Sequence, residues 1–178
     1  MRWMVKTIAV ALSALVLAGP ALAQQDVLDR ALADAAATAR QASDRLGAKE
    51  FGVDTAAYLA ALEQRVFTRP DGQSVPVRFV IETSASGSCQ KFAAYVVPVA
   101  NDPGKYVFLC PQFFTPGADR LRETTLLHEL VHVVAGRDEC QAMAFTARLQ
   151  FVASGSFQPV SKYWADSQCA SSRYRLPN

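Results

Sequence analysis

His128-Glu129-Leu130-Val131-His132 is the stretch that decides how this chain is read. The sequence holds two histidines in all, and both lie here. In an α-helix, positions i and i+4 share a face, so the two imidazoles point the same way. Two such rings can hold a zinc ion, with the Glu129 carboxylate beside a metal-bound water. Leu121, Leu126, Leu127, Leu130, Val131, Val133 and Val134 cover most of the surrounding helix circumference. A helix that is apolar on nearly every side is a buried one. Its imidazoles and carboxylate then need partners, which a metal and an ordered water supply.

Working outward, the central helix is expected to start between Thr115 and Asp119 and to stop at Gly136, a residue suited to the position just past a helix. Asp138 is placed to cap a following helix over 139 to about 152, where Ala142, Phe145, Leu149 and Val152 recur at helical spacing. A catalytic zinc takes three protein ligands and keeps an open position. Glu139 is the preferred third ligand, because a chain turning at Gly136 returns the first turn of the next helix toward the imidazoles. Asp138 and Cys140 stay open as alternatives, the first competing with a capping role and the second with a disulfide. In this reading His128, His132 and Glu139 bind Zn²⁺. Glu129 takes the proton of the zinc-bound water and later delivers it to the leaving amine. Tyr163, Tyr174 and Arg173 are candidate oxyanion donors, with nothing in their spacing to choose among them.

Upstream, residues 25–46 carry Val27, Leu28, Ala31, Leu32, Ala35 and Ala39 at helical spacing, with Gly47 as a stop. Their apolar face favours integral core over an inhibitory segment. Asp54 can cap a second helix over 55–67, with Tyr58, Leu59, Leu62 and Val66 on its inner face. Arg69-Pro70-Asp71-Gly72 reads as a turn and 75–82 as a strand. Residues 84–88 read as a polar loop. The runs 92–99 and 106–110, separated by Asn101-Asp102-Pro103-Gly104, read as a hairpin. The last 25 or so residues read as irregular from their Gly, Ser and Pro content. Helices, a small antiparallel sheet, then helices predict an α+β domain.

The first 23 residues are expected to be a cleavable signal. Arg2 and Lys6 form a basic start, 8–19 an uncharged apolar run, and Ala21-Leu22-Ala23 an A-x-A site before Gln24. The apolar run is short for a membrane span. Cleavage leaves one domain, 24–178, with 16 cationic and 16 acidic residues. That balance argues for neither nucleic acid nor an anionic membrane surface as partner. An exported chain with Cys89, Cys110, Cys140 and Cys169 is expected to form two disulfides. Of the three pairings, Cys89–Cys110 and Cys140–Cys169 are favoured because each joins neighbouring segments. The second would pin the C-terminal tail beside the helix that follows the histidines.

Phe108-Leu109-Cys110-Pro111-Gln112-Phe113-Phe114, followed by Thr124-Thr125-Leu126-Leu127 and the His128–His132 motif, resembles the zincin metallopeptidases. Among them it is most similar to the deuterolysin-like or lysine-specific metalloendopeptidase group, the aspzincins, without lysine specificity being carried over. The resemblance implies a zincin-like domain, a catalytic zinc, and an extended peptide or protein substrate lying against an edge strand above the metal helix. One of the strands between Val75 and Cys110 would be that strand. Gly136-Arg137-Asp138-Glu139 stands where the family has a Gly-Thr motif and an aspartate ligand. Arg137 replaces the threonine, Glu139 falls at the aspartate position, and Ala142 replaces a tyrosine. The helix from Glu139 through Ala142, Phe145 and Leu149 is also similar to the one bearing the third glutamate ligand in gluzincins. The expected function is peptide-bond hydrolysis in the periplasm or outside the cell. The rival is a zinc-binding periplasmic interaction protein without activity, motivated by the missing tyrosine. Cleavage of peptidoglycan cross-links is a narrower alternative suggested by the compartment.

Overall fold

A computed structural model describes residues 20–178. The basic start and apolar run expected of a signal, residues 1–19, lie outside the described residues. The first helix, α1 (Pro20–Ser43), contains most of the expected 25–46 segment and ends before Gly47. Leu28, Ala31, Leu32, Ala35 and Ala39 are buried as its spacing predicts, so this helix belongs to the core. A short hairpin of β1 (Lys49–Glu50) and β2 (Val53–Asp54) follows. Asp54 then caps α2 (Thr55–Leu59) by accepting from Ala57 N at 2.9 Å.

The second helix is shorter than the expected 55–67. It runs on as one wide turn over Ala60–Gln64 and stops at Arg65, whose φ of 56° is left-handed. Val66 and Phe67 therefore leave the helix and enter β3 (Val66–Thr68), paired to β4 (Ser74–Ile81) across the Arg69–Gly72 turn. Their branched and aromatic side chains suit a strand, and pairing with Val75 and Pro76 outweighs the helical spacing that Val66 shares with Leu62.

Beyond a 3₁₀ turn at Gly87–Gln90, β5 (Ala94–Val96) and β6 (Lys105–Leu109) form the expected hairpin. The sheet order is β3-β4-β6-β5. The sheet is mixed, not wholly antiparallel, because β4 and β6 run parallel. Returning β6 beside β4 buries Val77, Val107 and Leu109 together and leaves β5 as the last strand.

The inner face of the sheet packs on α3 (Asp119–Ala135), which also meets α1, α2 and α4 (Glu139–Ser154). Leu126, Leu127 and Leu130 are fully buried there. Each such side chain contributes about 1.5–3 kcal/mol by leaving water. Leu121 is the exception to the apolar circumference, at 49 % exposed. Tyr58 locks the layers together: its hydroxyl donates to Leu127 O at 2.9 Å and its ring meets Phe145 edge-on. The tail, expected to be irregular, contains α5 (Ser161–Asp166) and a 3₁₀ turn at Cys169–Ser171. Both favoured disulfides, Cys89–Cys110 and Cys140–Cys169, are present. Among the described residues no helix is long and apolar enough to cross a membrane.

Candidate metal centre

The last two turns of α3 carry His128 and His132 on one face, with their Nε2 atoms 3.1 Å apart. The helix ends at Gly136, whose φ of 102° suits a residue without a β-carbon. That reversal brings Asp138 and Glu139 back to start α4. Asp138 is used as the cap, accepting from Gln141 N at 3.0 Å, and Cys140 is held in its disulfide. Glu139 alone of the three candidates faces the imidazoles. Its carboxylate lies 3.1 Å from His128 Nε2 and 3.5 Å from His132 Nε2.

One donor atom from each of His128, His132 and Glu139 falls within 4.8 Å of the others, and the group can hold a metal ion. Three donors on one tetrahedral ion, each about 2.0–2.1 Å from it, sit roughly 3.3 Å apart. The observed separations bracket that value. The ring orientation fits as well. His132 Nδ1 bonds the Gly136 carbonyl at 2.8 Å, which assigns the proton to Nδ1 and leaves the Nε2 lone pair facing the cluster. Burial opposes the charged form of His132, yet bonds to Glu139 and the Gly136 carbonyl leave its pKa raised. Burial would raise the Glu139 pKa, but hydrogen bonds with His128, His132 and Tyr163 hold it far below the usual carboxylate range. Glu139 is thus an anion at neutral pH, as a metal ligand must be.

Two more side chains complete the site. Glu129 is buried yet makes no hydrogen bond to a described residue, and burial pushes its carboxyl pKa up despite the two histidines. Tyr163, on α5, donates its hydroxyl to Glu139 Oε2 at 2.8 Å. Burial and that bond push its pKa up, so the hydroxyl keeps its proton. The other two candidate donors lie elsewhere: Arg173 bonds the Tyr174 hydroxyl, and Tyr174 packs edge-on against Phe51.

Two cavities of about 440 and 190 Å³ flank the cluster. Phe92, Ala94, Glu129 and Tyr163 line both and form their shared wall. The larger extends between α3, α4 and residues 158–166, whereas the smaller lies between β5 and the Glu139 side. Exposed Phe92 and Val97 rim the smaller, and exposed Phe92 and Leu121 rim the larger. A cleft therefore passes the cluster with the last strand of the sheet alongside it.

Tyr163 is the residue that its own spacing could not single out, standing 24 positions from Glu139. The usable signal lay in the cysteines. Pinning Cys169 to Cys140 brings the preceding turn of chain against the first turn of α4, where a tyrosine hydroxyl meets the ligand carboxylate. In comparisons with known proteins, the chain matches no protein-family model, no curated protein and no solved structure.

Proposed function

We propose that this protein is an exported zinc-dependent metallopeptidase of the zincin type. The observation that carries the reading is the joint placement of three converging donors and one unpaired acid. His128, His132 and Glu139 present their ligating atoms to a common point, and Glu129 stands beside it, buried and without a hydrogen-bond partner among the described residues. A two-histidine, one-carboxylate set is a donor set of catalytic zinc. Bound zinc would supply Lewis acidity, polarising the scissile carbonyl and making a water more acidic.

The protein's own groups account for the rest. Glu129, with a raised pKa, accepts a proton from the attacking water and returns it to the leaving nitrogen as the C–N bond breaks. Tyr163 fixes the direction of the Glu139 carboxylate through its hydrogen bond. The peptide is proposed to lie extended along β5, whose outer edge has no strand neighbour among the described residues. The apolar side chains of Phe92, Val97 and Leu121 line its path and exclude water from it. The two disulfides agree with an oxidising compartment outside the cytosol.

The test is incubation of zinc-loaded, oxidised protein spanning 24–178 with a diverse peptide mixture, read by mass spectrometry. Wild type is expected to cleave. Glu129→Ala is expected to keep its zinc and lose about 10²–10⁴-fold in rate. Equal rates in the two would refute the mechanism. Zinc binding without any hydrolysis would favour the rival, an inactive binding protein.

A further inference from the structure

One buried residue on the larger cavity takes no part in the proposed chemistry. Thr146, on α4, is 3 % exposed and lines this cavity. Its hydroxyl is the one side-chain polar atom among the described residues that is buried with no hydrogen-bond partner. A helical threonine commonly bonds the carbonyl four residues back, as Thr124 does with Arg120 O at 2.9 Å. Thr146 forgoes that bond. Its polar neighbours are satisfied among themselves: Gln150 Nε2 donates to Thr124 Oγ1 at 2.9 Å, and Gln150 Oε1 accepts from Gln158 N at 3.0 Å. A buried hydroxyl left without a partner, on a residue that lines a cavity, marks a place where something else can supply one.

The walls say what that something is. Leu121, Met143, Ala147, Pro159 and Val160 present apolar surface. Of the acidic groups that reach the cavity, Glu129 belongs to the metal end, and Asp166 is paired with Lys162 at 2.5 Å. Lys91 also stands at this cavity. Away from the metal end, the described residues leave no unpaired carboxylate on this cavity, so a lysine or arginine reaching past Glu129 would enter unpaired. Position fixes the size. Thr146 lies seven residues past Glu139 on the same helix, roughly 10 Å along its axis. A long side chain on a peptide beside the cluster reaches farther toward Thr146 than a small one, and a tyrosine carries a polar group at its far end.

We infer that this cavity is the specificity pocket of the proposed peptidase site, and that it takes a tyrosine-like side chain adjacent to the scissile bond, with the phenol bonded to Thr146 Oγ1. The inference rests on the peptidase reading for the word substrate, but its binding component stands apart from turnover. A site with a polar group waiting for a substrate hydroxyl discriminates against the analogue that lacks it, because that group is then left unpaired.

The experiment has two arms, each with matched peptides carrying Tyr, Phe, Lys or Ala at one position. In the first, zinc-loaded wild type, Thr146→Val and Ala147→Phe are compared for cleavage. In the second, equilibrium binding of the same peptides is measured to zinc-loaded Glu129→Gln, with and without Thr146→Val. Wild type should favour Tyr over Phe by about 3- to 10-fold, and both over Lys and Ala by more. Thr146→Val should abolish the Tyr-over-Phe preference while leaving Phe peptides as good as before. Ala147→Phe should close the pocket to both aromatics. Should that variant not fold, Thr146→Val decides alone. A Tyr-over-Phe ratio unchanged by Thr146→Val, or a preference for Lys, overturns the pocket and leaves the peptidase reading intact. Tyr-selective binding without cleavage upholds the pocket and overturns the peptidase. Neither binding nor cleavage overturns both.

Discussion

The N-terminal layer and the C-terminal strap of this molecule are held in place by different forces. α1 and α2 are fastened by apolar burial: Leu28, Ala31, Ala35, Ala39, Tyr58, Ala61 and Leu62 are all almost fully enclosed. Residues 155–178 bury only Cys169 and Tyr174. They are tied on by the Cys140–Cys169 bond, by Tyr163 to Glu139, and by Gln158 N to Gln150. The first region supplies no donor to the candidate metal centre. The second supplies Tyr163 and one wall of the larger cavity. Stability and site geometry thus draw on separate parts of the chain. A strap held by a few directional bonds should loosen while the core stays folded.

The largest expected effect tests the core side of the comparison. Leu130→Ala removes a fully buried side chain from α3, two residues from each histidine. Denaturant unfolding should show a loss of about 2–5 kcal/mol. A loss below about 1 kcal/mol would mean that the core does not carry the fold as described.

Next in size is the strap. Replacing Cys140 and Cys169 together by serine opens a crosslink of sequence separation 29. Loop-closure entropy bounds the global cost at roughly 3–4 kcal/mol. The comparison predicts where the effect falls. Hydrogen exchange should lose protection over residues 158–171 and keep it in α1 and α3, and zinc affinity should drop as Tyr163 leaves Glu139. Uniform loss of protection across the chain would erase the distinction between the two regions.

How much of this was legible in the sequence follows the same division. Wherever burial decides, periodicity was enough: α1, α3 and α4 lie where their apolar spacing and their caps at Asp138 and Gly136 place them. The histidines and Glu139 were legible because a helix and a short reversal fix their relations locally. Periodicity failed at Val66, where pairing with Pro76 on a neighbouring strand overrides a helical pattern. It failed for the parallel pairing of β4 with β6, which no local rule encodes. It also failed in the tail, where α5 is too short to show a face and where Tyr163 acts through one contact distant in sequence. Thr146 looked like any other position on a buried helix. Only the three-dimensional absence of a partner sets it apart.

Tyr163→Phe sharpens the comparison at a single atom. The ring stays and the bond to Glu139 Oε2 goes. Loss of a partner that orients a metal ligand commonly costs 10–100-fold in metal affinity or activity. Competition with a chromophoric chelator should show about a tenfold weaker zinc affinity at the low end of that range. Unfolding of the metal-free protein should move by about 1 kcal/mol or less, because the half-buried ring keeps its packing and only one hydrogen bond goes. A metal-free destabilisation larger than the change in zinc binding would make Tyr163 a packing residue instead.

The smallest effect is also the one whose sign carries information. Thr146→Val keeps a β-branched side chain of nearly the same shape and removes a hydroxyl that has no partner in the structure. A buried hydroxyl without a bond has lost its hydration for nothing in return, so its removal should raise stability, by about 1 kcal/mol at most. Thermal or denaturant unfolding of the zinc-loaded protein measures it directly. Stabilisation together with a lost preference for tyrosine would show that Thr146 holds its hydroxyl at the expense of the fold, and that it serves a ligand. Destabilisation would mean that the hydroxyl already has a partner in the free protein, an ordered water being the natural one. Thr146 would then be satisfied before substrate arrives, and an incoming phenol would have to displace that water to gain anything.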